Sequence, residues 1–482
     1  MKSLKVAIVP MLLPKNQSVF QTGYQRFMVP LGPLYLASYL ESLHLPIDIL
    51  VHDQIETVLN FKPDVVGFSC VSENFGYAQS IAIQLKKKMS PFTLIGGPHF
   101  TSLPRFLPDC FDVGVVGEGE IALAKIIQVF LQKDISKKHL KKIPGLVMKE
   151  EGQIIHQGRA VQVEDLNSLP LPNRKQWVYN LGVPHIMTTR GCVYRCFFCA
   201  EPTIFKSFRA SSALRIVEEI ENILINFPNT KHIRFYDDIF PVNKKRMREL
   251  CNLFIEKKIP QKVSFSCFIH ANLVDEEIVD LLKKMGFIFV QFGADSGSGN
   301  VLKTIKPNST VDLNQRAIDL FYEKGIRVGL SFVVGTPKET PTDLQQTYDF
   351  IVKNREKVFD VEINPAVTLP GTDLWNYAIE KNLIPDLETI DWNIFRDAAH
   401  LVEFDLNRYI YVAAQIPTPF FVSMLKSMWN LNLEIQKLHD TENFYKENYL
   451  AGYRPVLFRN PPRDEHKKTS HLKLKRPLRF AL

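Results

Sequence analysis

Residues 188–202 read TTRGCVYRCFFCAEP and place three cysteines, Cys192, Cys196 and Cys199, within eight positions. A structural zinc site in a protein is usually closed by four ligands, often arranged as two separated pairs. The chain has seven cysteines, and no second pair with such spacing occurs elsewhere in it. An iron–sulfur cluster held by three thiolates, with one iron left open to another ligand, therefore fits this spacing better than zinc does.

The cysteines follow the strand of the first of six predicted strand–helix units. Apolar strands are predicted at 185–189, 232–238, 263–270, 287–295, 328–335 and 361–367. Six successive strand–helix units in regular alternation favour a partial β/α barrel, whose chemistry takes place at the carboxyl ends of the strands. An open six-stranded sheet is the alternative, because periodicity alone does not distinguish the two.

Residues 4–130 show an earlier alternation of five short apolar strands with helices. Fully apolar strands between helices indicate a parallel sheet covered on both faces, which is a doubly wound Rossmann-like domain. Ligands of such sheets bind beyond the carboxyl ends of the strands. Those ends carry 69–74, 96–99 and 117–120. The first strand is not followed by G-x-G-x-x-G, so a nicotinamide cofactor is a poor candidate.

The predicted fold class is therefore α/β, with four parts along the chain. Residues 1–140 form the Rossmann-like domain, 141–180 a proline-rich linker, 181–385 the partial barrel and 386–482 a mainly helical region with a basic tail. Apolar residues repeat at helical spacing between 421 and 438. This stripe is interpreted as packing onto the barrel, and contact with substrate or with a membrane is the alternative.

Composition narrows the class of protein further. Of the 482 residues, 45% are hydrophobic and 23% charged, which is typical of a globular protein. The odd number of cysteines argues against a secreted disulfide scaffold and favours the reducing cytoplasm. No run of about 18 uncharged apolar residues occurs, so we expect no membrane span.

The net charge of +8 is concentrated at one end of the chain. Residues 453–482 contain nine basic and two acidic residues. The rest of the protein is close to neutral, which argues against a nucleic-acid surface. The basic tail is interpreted as a solvated end, with peripheral contact to anionic lipid as the alternative.

The cysteine loop resembles that of the radical S-adenosylmethionine (SAM) superfamily. The resemblance rests on Cys-x3-Cys-x2-Cys, on the aromatic Phe198 before the last cysteine, and on the six-unit barrel. It implies that Cys192, Cys196 and Cys199 bind three irons of a [4Fe–4S] cluster and that SAM binds the fourth. An electron from a donor such as flavodoxin or ferredoxin then cleaves SAM to a 5′-deoxyadenosyl radical, chemistry that the cofactor supplies.

The same resemblance implies further SAM-binding residues at successive strand ends. Asp237 and Asp238 stand where the family's second-strand motif meets the SAM amine, and their alternation lets only one of them point inward. The remaining candidates are Phe198 in the loop, Asp295 and Ser296 after the fourth strand, and Gly335 after the fifth. Asp295 replaces the glutamate usual in the family. His270, after the third strand, is a candidate substrate contact.

The Rossmann-like domain before the barrel resembles the cobalamin-binding branch of this superfamily. The resemblance is carried by GPLYLASYLE, by GGPH at 96–99 and by GVVGEGE at 114–120. It implies a corrinoid between these strand ends and the barrel, and it identifies the candidate contacts Ser72, Gly96, Gly97, His99, Gly117 and Glu118. The Asp-x-His-x-x-Gly motif that supplies a lower cobalt ligand is absent, so His99 is not assigned to cobalt.

The branch implies three possible functions. The preferred one is methylation of an unactivated carbon in a small-molecule or lipid-like substrate. The second is radical cyclisation or rearrangement, which forms rings on tetrapyrroles or natural products. The third is a cobalamin or redox sensor without turnover, which the complete set of SAM motifs disfavours.

Overall fold

The first sheet has seven strands in a computed structural model that describes residues 3–11, 29–132, 136–177, 184–392, 395 and 410–448. In chain order the strands are β1 (Leu4–Pro10), β2 (Ile47–Val51), β3 (Val65–Ser69), β4 (Phe92–Gly96), β5 (Val113–Val115), β6 (Leu146–Glu150) and β7 (Gln153–His156). Their order in the sheet is β2-β1-β3-β4-β5-β6-β7. Strands β1 to β5 are parallel to one another. Strand β6 runs antiparallel to β5, and β7 runs antiparallel to β6.

Helices cover both faces of this sheet. They are α1 (Leu31–Ser42), α2 (Ile55–Phe61), α3 (Phe75–Met89), α4 (Pro98–Ser102), α5 (Glu120–Leu131) and α6 (Lys137–Leu140). Alternate residues of β1 enter two separate cores: Val6 and Ile8 enter one, and Ala7 and Val9 enter the other. Since the side chains from Val6 to Val9 are all buried and alternate between the two cores, the doubly wound prediction is confirmed.

The β6–β7 hairpin lies inside 141–180, the segment predicted to be a linker. Gly114 and Val147 are directly opposite each other in the β5–β6 ladder, and Leu146 and Val147 are fully buried. The first part of that segment therefore extends the sheet. The hairpin was not predicted from the sequence, because β7 is not an apolar run: Gln153 and His156 are exposed, and the two isoleucines between them are only partly buried.

The second sheet has six parallel strands in strict chain order. They are β8 (His185–Ile186), β11 (His232–Phe235), β12 (Ser264–Phe268), β13 (Phe287–Asp295), β14 (Arg327–Val334) and β15 (Asp360–Pro365). Right-handed crossovers between strands in sequential order place all helices on one side of the sheet. This order confirms the partial barrel and argues against the alternative, an ordinary open six-stranded sheet. Two short strands, β9 (Thr189–Arg190) and β10 (Arg209–Ala210), pair separately at the mouth of the barrel.

The helices of the barrel domain are α7 (Glu201–Ile204), α8 (Ala213–Asn226), α9 (Lys244–Glu256), α10 (Glu276–Lys284), α11 (Gly299–Ile305), α12 (Val311–Glu323), α13 (Pro341–Asn354) and α14 (Asp373–Glu380). A serine caps α8, where the Ser212 hydroxyl accepts a hydrogen bond from the Arg215 N–H at 3.2 Å. One continuous apolar core joins α8, α9, α10, α12 and α13 to the strands.

The C-terminal helix α15 (Thr418–Leu438) closes the open edge of the barrel, and α16 (Thr441–Asn448) follows it. Phe421, Leu425 and Met428 are buried in the barrel core, which confirms the packing interpretation of the apolar stripe. Asn432 of α15 accepts a hydrogen bond from the Val361 N–H of β15 at 3.0 Å, so the edge strand is partly covered. The predicted basic tail lies outside the described residues. Over the described ranges, no helix is both long and apolar enough to cross a membrane.

Candidate active site

The cysteine loop leaves the barrel directly after β9. Gly191 begins the loop with φ of 85°, and a Cβ there would lie 2.7 Å from the Ser207 carbonyl oxygen. Only glycine combines this left-handed conformation with such a close approach. Two backbone hydrogen bonds fix the loop: Cys199 donates to the Cys196 carbonyl at 3.0 Å, and Phe197 donates to the Ile305 carbonyl at 2.9 Å.

The three thiols are free and partly exposed. Burial raises the pKa of Cys196 to about 11 and that of Cys199 to about 12, and it also raises that of Cys192. Cys192 adds to the rise in pKa at Cys196, and both of them add to the rise at Cys199, which places all three thiols in one electrostatic neighbourhood. A raised pKa means that a bare thiolate is unfavourable at these positions. Metal ligation replaces the thiol proton, and the metal charge then stabilises the thiolate.

The thiols do not form a site for one ion. In the part of the chain that the structure describes, no three Cys, His, Asp or Glu side chains group closely enough to hold a single metal. A cubane cluster has a different requirement, because each cysteine binds its own iron. Three neighbouring soft donors on one loop therefore fit a [4Fe–4S] cluster and do not fit mononuclear zinc.

The two aspartates after β11 have separate roles. Asp237 is fully buried and accepts hydrogen bonds from the Thr188 N–H at 2.5 Å, the Thr188 hydroxyl at 2.7 Å and the Thr189 N–H at 2.6 Å. Burial raises its pKa to about 6, and the positive charge of Arg246 partly opposes that rise. Asp237 thus ties the segment before the cysteines to the neighbouring strand, and Asp238 is the aspartate that opens to the site.

Asp238 forms a carboxyl pair with Glu201, two residues after Cys199. Burial and the hydrogen bond to Asp238 raise the pKa of Glu201 to about 9, so the pair shares a proton at neutral pH. Glu201 was not predicted from the sequence, because its partner Asp238 follows another strand and is distant in the chain.

A cavity of about 340 Å³ lies between the two domains. Its walls come from the carboxyl ends of β3, β4 and β5 on one side and from the mouth of the barrel on the other. The barrel contributes Met187, Arg190, Glu201, Ile204, Phe205 and Asp238. The cavity therefore reaches from the Rossmann-like sheet to residues beside the cysteine loop, where the sequence predicts the corrinoid.

Four of the six predicted cobalamin contacts line this cavity: Gly96, Gly97, Gly117 and Glu118. Gly97 and Gly117 have φ of 88° and 95°, so their backbone conformations favour glycine. The other two predicted contacts, Ser72 and His99, are absent from the lining. They bond to each other instead, with His99 Nδ1 3.0 Å from Ser72 Oγ.

His99 lies in the apolar core beside the sheet. Its ring stacks on Phe75 with centroids 3.9 Å apart and meets Trp392 edge-on at 4.6 Å. Burial lowers its pKa to about 3, so the imidazole is neutral. These contacts agree with leaving His99 unassigned to cobalt.

A buried cluster of four charges joins the two domains beside the cavity. Arg190 pairs with Glu118 at 2.8 Å and with Glu120 at 2.6 Å, and Arg209 also pairs with Glu118. All four side chains are less than one-tenth exposed. The sequence analysis identified only Glu118. The arginines flank the cysteines in the chain, but their partners lie about 70 to 90 residues earlier.

The remaining predicted SAM contacts have protein partners. Asp295 pairs with Lys306 at 2.6 Å, and the Ser296 hydroxyl lies 3.0 Å from that of Thr347. Phe198 packs against an apolar cluster that includes Leu374. Their binding of SAM stays a prediction.

Gly335 has φ of 77°, and a Cβ there would lie 2.7 Å from the Phe421 ring. In the structure, the group that lies close to Gly335 is therefore the Phe421 ring of α15. The approach of adenine to Gly335 remains a prediction.

His270 stacks on Tyr194 of the cysteine loop, with ring centroids 4.0 Å apart. Its Nδ1 accepts a hydrogen bond from the Asn272 N–H at 3.3 Å, and its Nε2 is buried without a hydrogen-bond partner. The structure therefore brings the predicted substrate contact against the cysteine loop. Its role toward substrate remains a prediction.

Two family models match the chain in the order that the fold requires. The B12 binding domain covers residues 24–127, and the Radical SAM superfamily covers residues 186–351. The chain belongs to the radical SAM superfamily, in its cobalamin-binding branch. These matches fall on the Rossmann-like sheet and on the barrel that carries the cysteine loop.

Known relatives of this radical SAM enzyme include proteins named for two activities. An uncharacterized methyltransferase of Pyrococcus horikoshii is 29% identical over 417 residues, which cover 81% of this chain and 86% of the relative. An anaerobic magnesium-protoporphyrin IX monomethyl ester cyclase of Cereibacter sphaeroides is 24% identical over 317 residues. That match covers 62% of this chain but only 51% of the cyclase.

The fold is similar to that of the radical SAM methyltransferase TsrM from Kitasatospora setae. The TM-score is 0.69 at 17% identity, and the match covers 89% of both chains. Structures of TsrM contain cobalamin and a [4Fe–4S] cluster, or tryptophan and a SAM analogue. At this level of identity the likeness shows the fold, while the family models imply the cofactors: a [4Fe–4S] cluster, SAM and cobalamin.

Proposed function

We propose that this radical SAM enzyme methylates a carbon atom of a small-molecule substrate. The observation that carries the proposal is the cavity between the cobalamin-type strand ends and Arg190 and Glu201, which flank the cysteine loop. A methyl donor held in that cavity faces residues next to the site of radical formation. Radical formation and methyl transfer would thus take place around one cavity.

The residues that would hold the cofactors follow from the geometry. Cys192, Cys196 and Cys199 would bind the cluster, with Asp238 beside them for the SAM amine. The glycines at 96, 97 and 117 would let a corrin ring lie close to the backbone. When bound, these groups supply a radical that abstracts hydrogen and a transferable methyl group.

The protein's own contribution is to exclude water and to fix distances. Apolar side chains, among them Ile8, Leu94 and Leu123, form much of the cavity wall. The Glu118–Arg190 pair holds the strand ends of one domain against the segment that leads into the cysteines of the other. A radical formed there is kept from solvent, which limits side reactions.

The substrate class is proposed as a small molecule, and the structure supplies no argument for a lipid. The apolar stripe that suggested a lipid-like substrate packs into the barrel core instead. Membrane contact through the basic tail, absence of nucleic acid, and reduction by flavodoxin or ferredoxin stay proposals. Location in the cytoplasm is proposed because all seven cysteines, which the structure describes in full, are free.

Radical cyclisation is the second candidate, and the cyclase relative is the specific observation in its favour. The two functions differ in their products. Methylation yields S-adenosylhomocysteine together with a methylated product. Cyclisation yields 5′-deoxyadenosine without that pair.

The decisive experiment has two stages. Anaerobic protein loaded with cluster and cobalamin is incubated with SAM and dithionite, and formation of 5′-deoxyadenosine distinguishes the enzyme from a sensor that lacks turnover. Metabolites of a deletion strain are then compared with wild type to find a lost methyl group. Purified enzyme should restore that group and release S-adenosylhomocysteine. A lost ring without a lost methyl group would favour the cyclase.

A further inference from the structure

We propose that Lys306 is a positioning residue of the cluster site, whose fixed positive charge makes the bound [4Fe–4S] cluster easier to reduce. Asp295 holds the ammonium group in place. The inference requires the cluster on the three cysteines, and it is independent of whether the enzyme methylates or cyclises its substrate.

The Lys306 ammonium is anchored at two points on β13. Its Nζ lies 2.6 Å from Asp295 Oδ2 and 2.5 Å from the Gly293 carbonyl oxygen. The two side chains are only 5% and 4% exposed. Water therefore screens this charge poorly, and the ammonium cannot swing away without leaving a buried carboxylate unpaired.

The anchored charge is adjacent to the cysteine loop. Phe197, between the second and third cysteines, donates its N–H to the carbonyl of Ile305, and Lys306 is the next residue. The Lys306 charge opposes the rise in pKa that burial causes at Cys192 and Cys196, and Asp295 adds to that rise at Cys196. Both charges thus reach the thiols, with opposite signs.

The strand is deformed in a way that serves this ion pair. The β13–β14 register shifts between Gly293 and Asp295, and Asp295 has φ of 59°, in the left-handed region. A Cβ on residue 293 would lie 2.8 Å from both carboxylate oxygens of Asp295. The carboxylate thus folds back over a glycine to meet Lys306. A left-handed backbone at a non-glycine residue costs free energy, and this cost at Asp295 points to a function for the pair.

The charge balance of the reduction gives the sign of the effect. The oxidised cluster accepts one electron from an external low-potential donor, no bond breaks, and no proton is taken up. The site becomes more negative by one charge. A buried cation nearby stabilises the reduced form more than the oxidised form, and a buried anion does the reverse.

The test is a mediated redox titration of the cluster, followed by electron paramagnetic resonance, without SAM, cobalamin or substrate. The variants are K306Q and D295N, and the control is K303Q, which changes an exposed lysine in α11, the helix that ends one residue before Lys306. We expect a lower midpoint potential for K306Q, a higher one for D295N and an unchanged one for K303Q. An unchanged potential in K306Q, or shifts of K306Q and D295N in the same direction, overturns the proposal.

Two further measurements separate the rival roles of Lys306. Iron and sulfide content shows whether K306Q still loads its cluster; if it does not, D295N decides, and a potential at or below that of wild type overturns the proposal. SAM affinity is measured on the same samples. Weaker SAM binding by K306Q with an unchanged potential would make Lys306 a SAM ligand and would also overturn the proposal.

Discussion

Nη1 of Arg190 lies 2.8 Å from Oε2 of Glu118, and both side chains are less than one-tenth exposed. Glu118 follows the fifth strand of the first domain and lines the cavity, whereas Arg190 stands two residues before Cys192. This contact therefore joins the predicted cobalamin site to the cysteine loop. A buried pair of this kind is costly to break from one side only.

The substitution Glu118→Gln should destabilise the cofactor-free protein by about 3 kcal/mol, because Arg190 and Arg209 lose a buried counter-charge. Thermal or denaturant unfolding measures this loss. The control is Glu277→Gln, which breaks a solvent-exposed pair with Arg248 and should cost much less, because water screens that pair. Equal effects of the two substitutions would show that the interdomain pair has no special weight.

Replacement of Cys192, Cys196 or Cys199 by alanine should abolish cluster binding, since each thiolate holds its own iron. Iron and sulfide analysis and the visible absorption of anaerobically reconstituted protein report the loss. Cys251→Ala provides the control, because Cys251 is buried in the barrel core away from the loop. A full iron content in any of the three loop variants would refute the assignment of that cysteine.

The substitution Gly96→Leu should weaken cobalamin binding at least about tenfold, or by 1.4 kcal/mol or more. Gly96 lines the cavity, and a Cβ there meets no atom closer than 3.8 Å, so the added side chain can enter the space without a backbone clash. Equilibrium titration with hydroxocobalamin measures the affinity. Gly299→Leu, at an open helix start, is the control, and wild-type affinity in the Gly96 variant would place the corrinoid elsewhere.

Glu339 should make the protein less stable as pH rises from about 4.5 to about 7. Burial raises its pKa from 4.5 to about 7, although it accepts hydrogen bonds from the Gly335 and Thr336 N–H groups. Between these values the native state keeps a proton that the unfolded state has released, so stability is highest below pH 4.5 and is lost through pH 7.

Glutamine at position 339 cannot ionise. The stability of Glu339→Gln relative to wild type should therefore increase across this pH range, by at most about 3 kcal/mol. Urea unfolding at several pH values measures the difference, with Glu388→Gln on the surface as the control. A difference that does not vary with pH would show that Glu339 is already ionised in the native state at pH 4.5.

The sequence predicted the local features well, because these depend on short-range patterns. Buried parallel strands are continuous apolar runs, and the cysteines lie close together in the chain. The β6–β7 hairpin was not predicted, because polar residues at both ends of β7 interrupt the apolar pattern that marks a buried strand. Asp237 and Asp238 were correctly separated by their alternation, but only the structure showed which of the two faces the cavity.

What the sequence determined by itself was the order of the two domains, the barrel rhythm and the three thiolates, since each is written in neighbouring residues. What only the tertiary structure decided was the partnership of distant charges: Arg190 with Glu118, and Glu201 with Asp238. Ser72 and His99 show the same limit, because they bond to each other rather than facing the cavity. Burial makes unpaired polar groups costly, and the partner that removes that cost is selected by the fold rather than by chain distance.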